Sequence, residues 1–227
     1  MIGIVIPAFN EEKYLEKCIG AIKNAIGNVS ASEVVKVLVV LDHCEDASKN
    51  IIQKLGIDYL ECTAKCVGIA RDLGVRHLIA QGAKWIACTD ADSLVDQNWL
   101  KHQILHQPTD VICGVVEIES WEGLSKHTRE IYLSHYQDRM EHRHIHGANL
   151  SFSADAYLKS GGFPPLCAHE DVQLVERMCK MNMQIVWSNL VRVITSSRLI
   201  SRAPEGFSKF LLKLESEQAN MKDEIQK

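Results

Sequence analysis

No run in the 227-residue chain approaches the roughly 20 consecutive apolar residues that a membrane-spanning helix needs. Positive charge is not in excess either. The 25 Lys+Arg stand against 29 Asp+Glu, a formal charge of −4, which argues against a nucleic-acid coat or a polybasic membrane anchor as the main task. There is no cationic leader followed by an apolar segment. The apolar stretch Ile2-Gly3-Ile4-Val5-Ile6 stops at Pro7 and is too short for a signal. A cytoplasmic location, with attachment at the inner face of a membrane as an alternative, is the expectation. The chain lacks G-x-G-x-x-G and G-x-x-x-x-G-K-[ST], the phosphate cradles of dehydrogenases and P-loop enzymes. It also lacks C-x-x-C. Its eight cysteines are scattered and mostly sit among apolar residues, as buried free thiols do. Cys62 and Cys66 would need further ligands to hold zinc.

What is present is an ordinary globular mixture, 46% hydrophobic and 24% charged. Short apolar runs alternate with amphipathic segments. Residues 2–6, 34–41, 57–61 and 85–89 read as strands. Residues 11–26, 46–55 and 66–81 carry apolar positions at helical spacing. This β-α-β-α order predicts an α/β fold with a mainly parallel central sheet flanked by helices. The second half is less regular. Helices are expected at 98–107, 122–141 and 172–180, and strands at 110–118, 150–153, 184–187 and 190–194, with a helical turn ending at Gly161-Gly162.

In such sheets ligands bind beyond the carboxyl ends of the strands. Those ends carry Pro7-Ala8-Phe9-Asn10-Glu11-Glu12, Asp42-His43-Cys44-Glu45-Asp46 and Thr89-Asp90-Ala91-Asp92-Ser93. Asn10, Asp46 and Ser93 could cap the helices that follow, but Asp42, Asp90 and Asp92 exceed what capping requires. Asp90 and Asp92, two residues apart in an extended segment, point to one side and repel unless a cation lies between or beside them. Mg2+ or Mn2+ suits such oxygen ligands and completes its shell with phosphate and water. A solvated acidic turn is the alternative.

Taken in order, the motifs resemble the family 2 glycosyltransferases, which have the GT-A fold. They are Ile4–Glu11, Val39-Val40-Leu41-Asp42, Gly68-Ile69-Ala70-Arg71-Asp72-Leu73-Gly74, Asp90-Ala91-Asp92, Gly147-Ala148-Asn149-Leu150-Ser151-Phe152, Gly161-Gly162-Phe163 and His169-Glu170-Asp171. The order holds from residue 2 to about 195. The resemblance implies a single domain over 1–227: a nucleotide-sugar half over about 1–95, an acceptor half over about 96–204 and a C-terminal helix over about 205–227. It implies a UDP- or GDP-sugar donor, with Pro7, Ala8, Asn10 and Glu11 lining the nucleoside pocket, Glu11 near the ribose and Asp42 near the base edge. Arg71 would neutralise donor charge or contact the base. Ala91 lies within the D-x-D motif, where Asp92 would be the direct ligand of Mn2+ or Mg2+ and Asp90 would lie nearer the ribose or assist. Family members often have Asp-Asp-Gly-Ser where this chain has Asp42-His43-Cys44-Glu45, so the base is not specified.

The same resemblance makes Asp171 the general base towards a hydroxyl acceptor, with Glu170 contacting acceptor or neighbouring backbone. One carboxylate base and a single displacement imply inversion at the anomeric carbon. Arg198 and Arg202 would close over the donor phosphates. No histidine follows His169, so the metal shell would rest on Asp92, donor oxygens and water. His142-Arg143-His144-Ile145-His146 could meet phosphate or acceptor, form a solvated loop or bind zinc. The terminal helix could cover the core, pair with a second subunit as a homodimer or lie on a membrane. A non-catalytic nucleotide-sugar-binding relative is the main alternative function. A nucleotidyltransferase is a weaker one, because no Gly-rich basic loop follows the first strand.

Overall fold

The computed structural model describes residues 1–196 and Glu215. The elements, in chain order, are β1 (Ile2–Ala8), α1 (Leu15–Gly27), β2 (Val35–Asp42), α2 (Ser48–Leu55), β3 (Asp58–Cys62), α3 (Val67–Ala80), β4 (Trp85–Cys88), β5 (Ser93–Val95) and α4 (Trp99–Leu105). The second half adds β6 (Val111–Ile118), α5 (Lys126–His135), β7 (Leu150–Ser153), α6 (Ala154–Lys159), α7 (Glu170–Lys180) and β8 (Ile185–Thr195). One sheet runs through both halves in the order β3-β2-β1-β4-β7-β6-β8-β5. β1 lies parallel to β2 and β4, β2 to β3, and β6 to β8. β7 is antiparallel to β4 and β6, and β5 to β8.

The strands are apolar on both faces because both faces are covered. Successive residues of β1 supply opposite layers. Ile4 and Ile6 join Leu15, Cys18, Ile19 and Ile22 of α1 and Trp99 and Leu100 of α4. Val5 joins Val75 and Leu78 of α3, Tyr157 of α6 and Leu174, Val175 and Met178 of α7. The helical periodicities 15-18-19-22 and 174-175-178 are therefore the record of two separate cores.

Two expectations are corrected. The helix expected over 122–141 is confined to Lys126–His135. Tyr136 leaves helical conformation (φ −79°, ψ 119°). Its hydroxyl accepts the Val116 amide at 2.7 Å and its ring stacks on His144 at 4.1 Å, contacts that a continuing helix could not make. The α5 N-terminus is capped by Ser125, whose hydroxyl accepts the Thr128 amide, and Ser125 in turn donates from N and Oγ to Glu215 at 3.1 and 3.0 Å. The strands expected at 184–187 and 190–194 are one strand, β8, with an irregularity opposite Gly114/Val115. Asn149 fills that irregularity, donating from Nδ2 to the Val115 and Val191 carbonyls at 2.7 and 2.8 Å. The short strand β5 pairs with the end of β8 and is too brief to show periodicity. Among the described residues, no helix is long and apolar enough to cross a membrane. The C-terminal helix expected from about 205, apart from Glu215, lies outside the described residues.

Candidate active site

The loops after β1 and β2 are built as one unit. Asn10, with φ 56°, accepts the Glu45 amide on Oδ1 at 2.7 Å. Asp46 accepts the Glu12 amide at 2.9 Å and the Ser48 amide at 2.9 Å, while Glu12 accepts the Ala47 amide at 2.9 Å. Asp46 thus serves the start of α2 as expected, whereas Asn10 joins the two loops instead of capping α1. Glu11 is buried, and its amide donates to Ser48 Oγ at 2.8 Å. The Cys44 thiol lies between Ala8 and Asn10, donating to the Ala8 carbonyl at 3.3 Å and accepting the Asn10 amide at 3.4 Å. Phe9 and His43 stack at 6.5 Å beside these loops. Pro7 and Ala8 are the last residues but one and last of β1.

Asp42 is 4% exposed, and its two oxygens accept the Lys65 and Cys66 amides, each at 2.8 Å. It fixes the turn leading into α3. From β4 the chain passes through Asp90, the buried Ala91 and Asp92. Asp92 Oδ2 accepts the Ser196 hydroxyl at 2.8 Å. Ser93 does not cap a helix; its hydroxyl donates to Thr195 Oγ1 at 3.0 Å, opening β5 against β8.

Arg71 is the junction of the site. It is 3% exposed. One terminal nitrogen donates to Asp90 Oδ1 and the other to Glu170 Oε1. Burial works against its charge, but Asp90, Glu170 and Asp171 together raise its pKa and keep it protonated. Burial likewise pushes the Glu170 carboxyl up, and the Arg71 charge opposes that push. Glu170 is buried and packed against Arg71. Its neighbour Asp171 stands in the first turn of α7, after His169 in left-handed conformation (φ 61°). Asp171 Oδ2 accepts the Gly147 amide at 2.5 Å, so it reaches outward to the loop before β7 as well as bonding the adjacent Val172 amide at 2.8 Å. The D-x-D segment and the acid pair thereby meet on one guanidinium. Arg198 and Arg202 lie outside the described residues.

Asp90, Asp92, Glu170 and Asp171 bring four carboxylates to this rim, and Arg71 offsets one charge. That surplus, made of oxygen donors only, suits a hard divalent cation. Among the described residues no cluster of three or more His, Cys, Asp or Glu side chains could hold a metal unaided. A cation at this rim would need donor phosphate and water to complete the shell that a carboxylate such as Asp92 begins. Among the described residues, neither Cys62/Cys66 nor the histidine trio forms part of such a cluster.

The histidines are committed to packing. His142 Nδ1 accepts the His144 amide at 3.1 Å, and His144 Nε2 accepts the Gln137 amide at 2.8 Å. The Tyr136 hydroxyl, which accepts the Val116 amide, also lies within hydrogen-bond distance of His146 Nε2, at 3.2 Å. Tyr136 also stacks with His146 at 5.9 Å. Burial, then His144 and His142, push the His146 pKa down to about 3, and burial also lowers His142 and His144. The trio brings no positive charge to a phosphate at neutral pH. Because the folded-state pKa of His146 lies below its unfolded value, the unfolded chain takes up its proton first as pH falls. The stabilisation is complete above about pH 6.5 and is lost on acidification. Melting measured from pH 7 to 5 should show a loss of about 2 kcal/mol attributable to this ring, and His146→Gln should flatten the slope. An unchanged slope would place His146 in water.

Sequence reasoning placed Asn149 in a motif without a role, whereas it also accepts the Trp99 indole N–H at 2.9 Å, and it missed the burial of Arg71. A signal for the second existed. Gly68, Arg71, Gly74, Val75 and Leu78 share the buried face of α3, and a charge on such a face requires partners.

The model of Glycosyl transferase family 2 matches residues 3–159, and the chain belongs to that family. Among curated proteins none matches. Solved structures share the GT-A fold. TarS 1–349 of S. aureus in complex with UDP-GlcNAc has a TM-score of 0.69 at 16% identity, covering 91% of this chain and 61% of that one. The mannosyltransferase PcManGT of Pyrobaculum calidifontis, in complex with GDP-Man and Mn2+, has a TM-score of 0.66 at 16% identity, covering 87% and 57%. GalNAc-T7 with UDP, GalNAc and Mn2+ has a TM-score of 0.67 at 12% identity, covering 89% and 46%. The chain thus spans about 60% or less of the length of these structures.

Proposed function

We propose that this member of glycosyl transferase family 2 transfers a hexosyl group from a nucleoside-diphosphate sugar to an acceptor hydroxyl, with a divalent cation and with inversion. The observation that carries the reading is the meeting of Asp90 and Glu170 on Arg71, which sets the D-x-D segment beside the acid pair. The neighbours solved with UDP-GlcNAc, GDP-Man and Mn2+ support the donor class.

The cross-linked loops holding Pro7, Ala8, Asn10 and Glu11, with Asp42 bracing the turn before α3, form the nucleoside side of the cleft. Asp92 would hold Mn2+ or Mg2+ together with diphosphate oxygens, and Asp90 stands beside it. When bound, the cation supplies charge stabilisation for the departing diphosphate. Asp171 takes the proton from the acceptor hydroxyl as that oxygen attacks the anomeric carbon. The Gly147 amide fixes one Asp171 oxygen, so the carboxylate is oriented before the acceptor arrives. Acceptor contacts fall to the second half of the chain. Arg198 and Arg202 remain candidates for the donor phosphates. A second subunit or a membrane surface would be met by the C-terminal helix, which apart from Glu215 lies outside the described residues.

The test is incubation with UDP-GlcNAc and with GDP-mannose, with and without Mn2+, followed by NMR of the glycosyl product. Turnover with inversion is expected. A product that keeps the donor configuration would contradict the single displacement. Donor binding without any turnover would favour the non-catalytic relative.

A further inference from the structure

We infer that Arg71 is a positioning residue: its buried guanidinium sets where the Asp171 carboxylate stands, through Glu170 and Gly147, and does not itself contact the donor. The inference deepens the proposed function, since it rests on Asp171 as the base.

Four contacts converge on it. Arg71 joins Glu170, the residue before Asp171, to Asp90, the first acid of the D-x-D segment. A Cβ on Gly147 would fall within the Arg71 guanidinium, so the guanidinium packs directly against the residue whose amide holds Asp171 Oδ2. The guanidinium carbon also lies 6.0 Å from the Phe163 ring, at the head of the loop leading to α7. One turn earlier on α3, a Cβ on Gly68 would come within 2.5 Å of the Pro164 and Leu166 carbonyls. The adjacent Asp72 accepts the Tyr157 hydroxyl at 2.6 Å, and that hydroxyl accepts the Phe163 amide at 2.9 Å. Residues 163–171 are thus seated on α3, and Arg71 touches both Glu170 and Gly147, the two supports of Asp171.

With 3% exposure and two nitrogens spent on carboxylates, Arg71 is a buried strut between the two acidic segments. Lysine cannot replace it. A single ammonium lacks the planar fork that engages two carboxylates at once.

The experiment compares wild type, Glu170→Gln and Arg71→Lys. Glu170→Gln keeps size and an acceptor oxygen, which limits the disturbance to folding. Three readouts are taken: amide hydrogen exchange at Gly147, the donor dissociation constant with Mn2+ for UDP-GlcNAc and GDP-mannose, and the rate of donor turnover. Exchange at Gly147 should quicken by about tenfold or more in both variants while β1 and β4 amides stay protected. Turnover should fall by roughly 10²-fold, with donor affinity changed by less than about threefold. If Arg71→Lys unfolds, Glu170→Gln alone decides. Unchanged Gly147 exchange, or donor affinity falling in step with turnover, overturns the inference. An active Asp171→Asn would instead remove the base. An inactive Asp171→Asn beside fully active Glu170→Gln and Arg71→Lys would refute the strut and spare the base.

Discussion

Asp171→Asn is expected to lower glycosyl transfer by roughly 10²–10⁴-fold, the usual contribution of a positioned general base, while leaving donor affinity within about threefold. The substitution suits the site. Asparagine keeps an oxygen that can accept the Gly147 amide, which Asp171 Oδ2 now does at 2.5 Å, and it removes only the capacity to take a proton. The start of α7 should survive as well, because its first turn retains Glu170 packed on Arg71. Steady-state transfer and calorimetric donor titration on the same preparation check the two halves of the statement. Normal turnover in this variant would leave Asp171 as a helix-terminal acid with no chemical task.

Asp92→Asn should have a different signature. Asp92 is the carboxylate to which the cation is assigned, and its partner Ser196 can bond an amide oxygen equally well. The fold should hold, while the gain in nucleotide-sugar affinity that Mn2+ gives the wild-type chain should fall by roughly 10²-fold, in line with the several kcal/mol a cation lends to phosphoryl charge. Titrations with and without Mn2+ on both proteins measure this. The same Mn2+ gain in both would move the cation away from Asp92. Together the two variants separate donor capture from proton removal. One loses binding and the other loses chemistry.

The first half of the fold could be read from sequence because each of its strands is buried on both faces and each helix shows one apolar stripe. The acids at the strand ends stood out for the same reason: nothing in a parallel sheet calls for Asp90-Ala91-Asp92 at the exit of β4. The second half resisted because its structure depends on long-range polar contacts. The single strand β8 is interrupted in sequence by Ser188 and Asn189, and Asn149 holds the irregularity together by bonding Val191, 42 residues later. Helical spacing alone extends α5 beyond His135, because the bond that ends it, from the Val116 amide to the Tyr136 hydroxyl, is long-range. The histidine trio suggests metal or phosphate by residue type alone. Stacking on Tyr136 and backbone amides on the ring nitrogens are invisible until the chain is folded. The motif names Arg71 as a donor contact, whereas the partners that the fold gives it are side chains of this chain: Asp90, 19 residues on, and Glu170, 99 residues on.

The account stands on one cleft at the carboxyl rim of the sheet holding a nucleoside-diphosphate sugar. Thermal melting of the wild-type chain with UDP-, GDP- and dTDP-sugars in the presence of Mn2+ tests this most directly, because a ligand that binds only the folded state raises the midpoint. At least one of these donors should raise it, and by more with Mn2+ than without. A midpoint indifferent to all of them at millimolar concentration would contradict the account.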